Sequence, residues 1–249
     1  MSNPQLIESL CEECTISLIF EADFAHSRSV DHLIHRRRCN QSIHAASIMT
    51  TTLKIAVCLF PLVTASDYQG PIDLLGFLDK NMAPGSHFPE LDFNPTPKHN
   101  FEIIYLASTK DSVKPDAGPR VVGDETYEDI LKKKEQFDIL LIPGGSGATP
   151  PLVQPVLLEF LKFQASGAKY ILKVQASTHL QAITWVAKAR WVVDGNVWSA
   201  SGVTAGSDMV YAFLEHLNGE KIATTLRGFV ELSGKQEGDD EFAEFYGLI

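Results

Sequence analysis

Cysteine is scarce where it would matter most: of the four in the chain (Cys11, Cys14, Cys39 and Cys58), only Cys58 follows Met49. A core beyond that point cannot be a disulfide framework, and a reducing compartment fits this usage. Cys58 itself sits in the apolar run Leu53 to Phe60, where a thiol behaves as a small buried hydrophobe. Basic residues are outnumbered, 21 Lys and Arg against 31 Asp and Glu, for a formal net charge of -10. Such a surface argues against nucleic acid or an anionic membrane as partner, because both need a basic face. No apolar run approaches the roughly 20 residues that span a bilayer. Glu8, Glu12 and Glu13 stand where a secretory signal wants basic residues, so the expected location is cytoplasmic. What is present, 45% hydrophobic and 21% charged residues, is the make-up of a globular protein long enough for one sizeable α/β domain.

Composition shifts near Met49. Residues 1–48 hold three cysteines, four of the eight histidines (His26, His32, His35, His44) and the basic run Arg36 to Arg38. No periodic apolar face emerges from them, and the expectation is a poorly ordered N-terminal extension, with the domain occupying residues 49–249. A zinc site built from Cys11, Cys14, His32, His35 and Cys39 has the right ligand types but not the spacing of a familiar finger. The expectation is therefore no metal and no other cofactor.

After Met49, short apolar runs alternate with helical patterns, which argues for βαβ units and a parallel sheet. Strands are expected at Leu53 to Phe60, Phe101 to Ala107, Phe137 to Ile142 and Lys169 to Val174, each apolar enough to be covered on both faces. Helices are expected from Pro71 to Asn81, Glu125 to Glu135, Leu152 to Ala165 and Thr204 to Leu217. Asp194-Gly195 reads as a hairpin turn between Arg190 to Val193 and Asn196 to Ala200, and the proline-rich stretch Met82 to Asn100 as a surface loop.

In an open parallel sheet, ligands bind outside the carboxyl ends of the strands, so the segments that follow each strand are the places to search. After the first comes Ser66-Asp67-Tyr-Gln-Gly70-Pro71, where Asp67 serves either as a helix cap or as a catalytic acid. After the third comes Pro143-Gly144-Gly145-Ser146-Gly147. Its glycines free backbone N–H groups for an oxyanion or carbonyl, or simply make a turn. No Gly-Lys-Ser/Thr follows, which counts against a phosphate loop. After the fourth, Gln175-Ala176-Ser177-Thr178-His179 runs a strand abruptly into a helix, the geometry of a nucleophile elbow.

These segments, with Asp138 to Gly147, Tyr170 to Val174, Ala189-Arg-Trp-Val-Val-Asp-Gly-Asn196 and Ser201-Gly-Val-Thr-Ala-Gly206, follow one another in an order that resembles the DJ-1/PfpI superfamily, and within it the branch similar to isonitrile hydratase. The resemblance implies a flavodoxin-like (class I glutamine amidotransferase-like) parallel-sheet sandwich, dimeric in many members. In it an elbow cysteine attacks a small electrophile beside an acid from the first βα turn. Carried over, the acid is Asp67, Gly70, Gly144, Gly145 and Ala176 line the substrate pocket with Ser201, Gly202 and Thr204, and the partner is a small molecule.

Two departures stand against simple transfer of activity. The elbow position holds Gln175, whose amide nitrogen is no nucleophile because its lone pair is delocalised into the carbonyl. The family's helix, strand and helix after the elbow shrink here to Ala182-Ile-Thr-Trp185-Val186, so part of the sheet or its covering helices is expected to be absent. The reading that follows is a non-catalytic or degenerate relative. The alternatives are an active hydratase, hydrolase or glyoxalase-like lyase using a residue other than cysteine, such as Ser177 with His179, and a binding or regulatory module.

Overall fold

The computed structural model describes residues 50–82, 93–149, 151–174, 186–245, 247 and 249. The expected N-terminal extension and the candidate zinc ligands within it lie outside these residues. Among the described residues, seven strands form one sheet: β1 (Thr51–Cys58), β2 (His99–Ala107), β3 (Glu125–Thr126), β4 (Ile139–Ile142), β5 (Tyr170–Val174), β6 (Trp191–Asp194) and β7 (Val197–Ala200). Their spatial order is β3-β2-β1-β4-β5-β7-β6, parallel throughout except for the β6/β7 hairpin at one edge. The chain therefore leaves β1 toward one edge and returns at β4 toward the other. The β1/β4 boundary is the topological switch point, where the crevice of an open sheet forms.

Among the described residues, five α-helices flank the sheet: α1 (Ala65–Leu75), α2 (Tyr127–Lys133), α3 (Pro155–Ala165), α4 (Val203–Asn218) and α5 (Glu220–Phe229). One side is covered by α1, α4 and α5, the other by α2 and α3. Aromatic rings mark both layers. Phe160 of α3 packs 5.0 Å from Tyr127 and 6.4 Å from Phe137, while Tyr170 and Trp198 present ring edges to Phe213 of α4. The central strands are buried on both faces, as the run Ile55 to Phe60 requires: every residue in it is at most 1% exposed. At the start of α2, the Thr126 hydroxyl accepts the Asp129 N–H at 3.1 Å, and acids in the first turn with lysines in the last complement the helix dipole.

The structure corrects several sequence expectations. The first helix begins six residues before the expected Pro71 and ends at Leu75, with Pro71 inside it. Tyr68, Ile72 and Leu75 fall at i, i+4 and i+7 and are buried, and that apolar stripe outweighs the backbone hydrogen bond that proline forfeits. The helix expected at Leu152 starts at Pro155, which suits a first helical position because its absent N–H has no intrahelical partner to lose. The hairpin loop is Gly195-Asn196, one residue later than expected, with Asp194 paired to Val197. His99 and Asn100, placed in the surface loop, belong to β2, whereas residues 83–92 of that loop are outside the described residues. The sheet itself is continuous across the shortened region, because β5 pairs directly with β7 along Ile171 to Val174.

Phe160→Ala should remove the ring that joins Tyr127 to Phe137 and lower stability by about 3–5 kcal/mol, measured by urea unfolding of the full chain; a loss below about 1 kcal/mol would show that this layer repacks freely.

Candidate active site

Asp67 is the third residue of α1 and has no exposed surface. Its Oδ2 accepts the Gly144 N–H at 2.9 Å, tying the turn after β1 to the loop after β4 at the switch point. The tie is doubled by the Thr64 N–H, which donates to the Gly144 carbonyl at 3.0 Å. The other carboxyl oxygen, Oδ1, is equally buried and has no hydrogen-bond partner among the described residues. Burial pushes the Asp67 carboxyl above its ordinary pKa; the Gly144 N–H draws it part of the way back, and the nearby charge of Asp116 pushes it up again. A carboxyl in that position can hold a proton at higher pH than a solvated one and offer it, or an acceptor oxygen, to a ligand atom.

The glycine loop exists to make this approach possible. Gly145 has φ of 127°, and a Cβ there would lie 2.4 Å from the Leu62 carbonyl oxygen and 2.6 Å from Thr64 N; at Gly147 a Cβ would come within 1.8 Å of the Pro61 carbonyl. Only glycine permits backbone to meet backbone this closely. Asp116 clips the same junction from outside, accepting the hydroxyls of Thr64 at 3.2 Å and Ser146 at 3.1 Å. The Gly144 N–H, expected near a developing negative charge, is already committed to Asp67, so its service is to hold the acid.

The remaining residues named from sequence fall in three places. Gly70 lies where α1 crosses α4; a Cβ there would sit 2.4 Å from the Ser207 hydroxyl, so the glycine serves helix packing. Gly202 is the residue before α4, and Ser201 beside it donates its N–H to the Arg190 carbonyl at 2.8 Å. The Thr204 hydroxyl accepts from Arg190 Nη2 at 3.0 Å. Gln175 and Ala176, with Ser177 and His179 of the alternative nucleophile, lie outside the described residues.

Sequence reasoning missed the ion pair behind this corner. Arg190 and Asp208 are 3% and 4% exposed and meet at 2.6–2.7 Å, and Asp208 Oδ1 also accepts the Lys235 N–H. Each interrupts an apolar pattern, Arg190 between Ala189 and Trp191 and Asp208 before Met209 and Val210, and that interruption was the available signal. Cys58 ends β1 fully buried against Tyr127. Burial pushes its thiol up to about 12, so at neutral pH it carries essentially no thiolate. Among the described residues, no group of three or more His, Cys, Asp or Glu clusters as a metal site, and no described helix is long and apolar enough to cross a membrane.

No family model matches the chain. Isonitrile hydratase of Pseudomonas putida is 28% identical over 192 residues, which cover 67% of this chain and 73% of that protein. A structure of a ThiJ/PfpI family protein from Pseudomonas syringae superposes with a TM-score of 0.60 at 20% identity, over 83% of this chain and 86% of that one. In sequence and in fold the chain is similar to the DJ-1/ThiJ/PfpI superfamily. Within the superfamily, Drosophila melanogaster DJ-1beta superposes with a TM-score of 0.57 at 15% identity, over 74% of this chain and all of that one. A shorter match, 36% identical over 70 residues, is to the glutathione-independent glyoxalase DJR-1.2 of Caenorhabditis elegans, and spans 28% of this chain and 37% of that protein.

The buried Asp67 carboxyl should cost stability at neutral pH. Between the unfolded pKa of about 3.9 and its raised folded value, the native state binds more protons than the unfolded one, so stability falls as pH rises and then levels off. Asp67→Asn removes the ionisation and keeps an oxygen for the Gly144 N–H. The variant should be more stable than the parent at pH 7, with the difference fading toward pH 4, in urea unfolding across that range. A variant less stable at every pH would show that the charge itself is favourable there.

Proposed function

We propose that this chain is a non-catalytic member of its superfamily that retains the acid-lined crevice of a small-molecule enzyme without its thiol chemistry. The observation that carries this reading is the state of its one cysteine after Met49. Cys58 is sealed in the core at the end of β1, with its thiol pushed up to about 12 by burial, whereas Asp67 stands in α1 with one oxygen that has no partner among the described residues. In the sequence the residue directly after β5 is Gln175, and a carboxamide cannot attack carbon. The activities named for the relatives, isonitrile hydration and glutathione-independent glyoxalase chemistry, would need a nucleophile that neither position offers.

What persists supports ligand binding. Among the described residues, a buried acid with one oxygen fixed by a backbone N–H and the other unpartnered holds one hydrogen-bonding atom in reserve, which the carbonyl or hydroxyl of a small neutral molecule admitted beside it would satisfy. Its protonation would decide whether it donates or accepts.

Purified full-length chain, assayed beside an active isonitrile hydratase, should convert neither an isonitrile nor methylglyoxal above the buffer rate, and Gln175→Cys alone should leave both rates unchanged because the sequence between β5 and β6 is also shorter than the resemblance implies for an active pocket. Turnover that Asp67→Ala abolishes would refute the non-catalytic reading. Full recovery in Gln175→Cys would show that the shortened connection matters little.

A further inference from the structure

A second cleft lies at the carboxyl end of β2; Asp67 is not among its lining residues, and it is independent of the reading above. Its volume is about 290 Å³, and its walls include Lys114, Arg120, Asp111, Ser108, Thr109 and Gln154. The loop that builds it is closed by a pair of backbone hydrogen bonds between Val113 and Val121, at 2.7 and 2.9 Å, which form an antiparallel bridge. Lys114 and Arg120 each stand one residue inside this isolated bridge, and both line the cleft. Neither cation forms an ion pair among the described residues.

The two cations are braced through neutral groups. Lys114 Nζ donates to the Gly118 carbonyl at 2.7 Å and Arg120 Nη1 to the Ser112 carbonyl at 3.1 Å, so each keeps further N–H donors unspent. Asp111 lines the same cleft without pairing with either of them. Of the other two acids in the β2–β3 loop, Asp116 spends its oxygens on Thr64 and Ser146, and Asp124 accepts the Tyr105 N–H. The Ser108 hydroxyl donates to Gln154 Oε1, which leaves the Gln154 amide N–H groups as donors. Around one cavity, then, stand a guanidinium fork, an ammonium, an amide and the Thr109 hydroxyl, against a single carboxylate.

We propose that this cleft binds the phosphate group of a small phosphorylated ligand. A tetrahedral dianion is neutralised by two otherwise unpaired cations, accepts two parallel N–H bonds from arginine and a third from lysine, and outweighs the one negative charge of Asp111. A planar carboxylate uses the arginine fork but leaves the ammonium and amide donors less well satisfied.

The test is a titration of the 15N-labelled full chain with inorganic phosphate at constant ionic strength, with succinate as a parallel arm. Phosphate should shift the amides of residues 108–122 saturably and more tightly than succinate. Lys114→Ala with Arg120→Ala should weaken it by at least about ten-fold, and Asp111→Asn should tighten it. Should the double variant fail to fold, Arg120→Lys keeps the charge, loses the fork and should still weaken phosphate several-fold. Non-saturable shifts, equal affinity in the cation variants, or tighter succinate binding would each overturn the proposal.

Discussion

The hydrogen bond from the Gly144 N–H to Asp67 joins the two halves of this sheet at the point where its strand order reverses. Everything nearby is arranged to permit it. The chain after β1 must turn tightly through Pro61 to Thr64, the chain after β4 must lie against that turn backbone to backbone, and glycines at 145 and 147 remove the side chains that would keep them apart. The consequence is an acid drawn fully out of water with only one of its oxygens satisfied among the described residues. A fold seeking stability alone gains nothing from that oxygen, because an unpartnered buried polar atom costs free energy comparable to a lost hydrogen bond.

Much of this was legible in the sequence. The strands announced themselves as apolar runs, and the order of Asp67, the glycine loop and the Arg190 segment resembled one superfamily before any coordinates. The glycine loop was seen, but its physical purpose was not. Whether an N–H points at a ligand or at a carboxylate 77 residues earlier depends on tertiary placement that local spacing does not encode. The start of α1 was misplaced because proline weighs heavily in local rules, while the Tyr68, Ile72 and Leu75 stripe gains its energy only once a sheet lies beneath it. The helix Glu220–Phe229 escaped notice because its buried residues, Ile222, Ala223 and Leu226, are few and are set among two threonines and a glycine. A two-residue strand such as β3 has no period to detect.

The far side of the crevice shows how the fold closes despite a short connection after the Tyr170 strand. That strand pairs with Val197 to Ala200 without an intervening neighbour, and the returning chain is fastened by the buried Arg190–Asp208 pair. Asp208 reaches the Lys235 N–H and the Arg190 N–H reaches the Glu237 carbonyl, so one ion pair anchors the hairpin, α4 and the C-terminal segment together. Pairs of this kind add little net stability over an apolar substitute but are expensive to break from one side.

The account stands or falls on Asp67 as an acid held out of solvent with an oxygen to spare. Its carboxyl carbon can be followed directly by 13C NMR of the labelled full chain as pH is raised. The account predicts a titration midpoint clearly above the ordinary aspartate value of about 3.9, together with a Gly144 amide resonance that moves with the same midpoint. A carboxyl that titrates at or below the ordinary value, with the Gly144 amide indifferent to it, would contradict it.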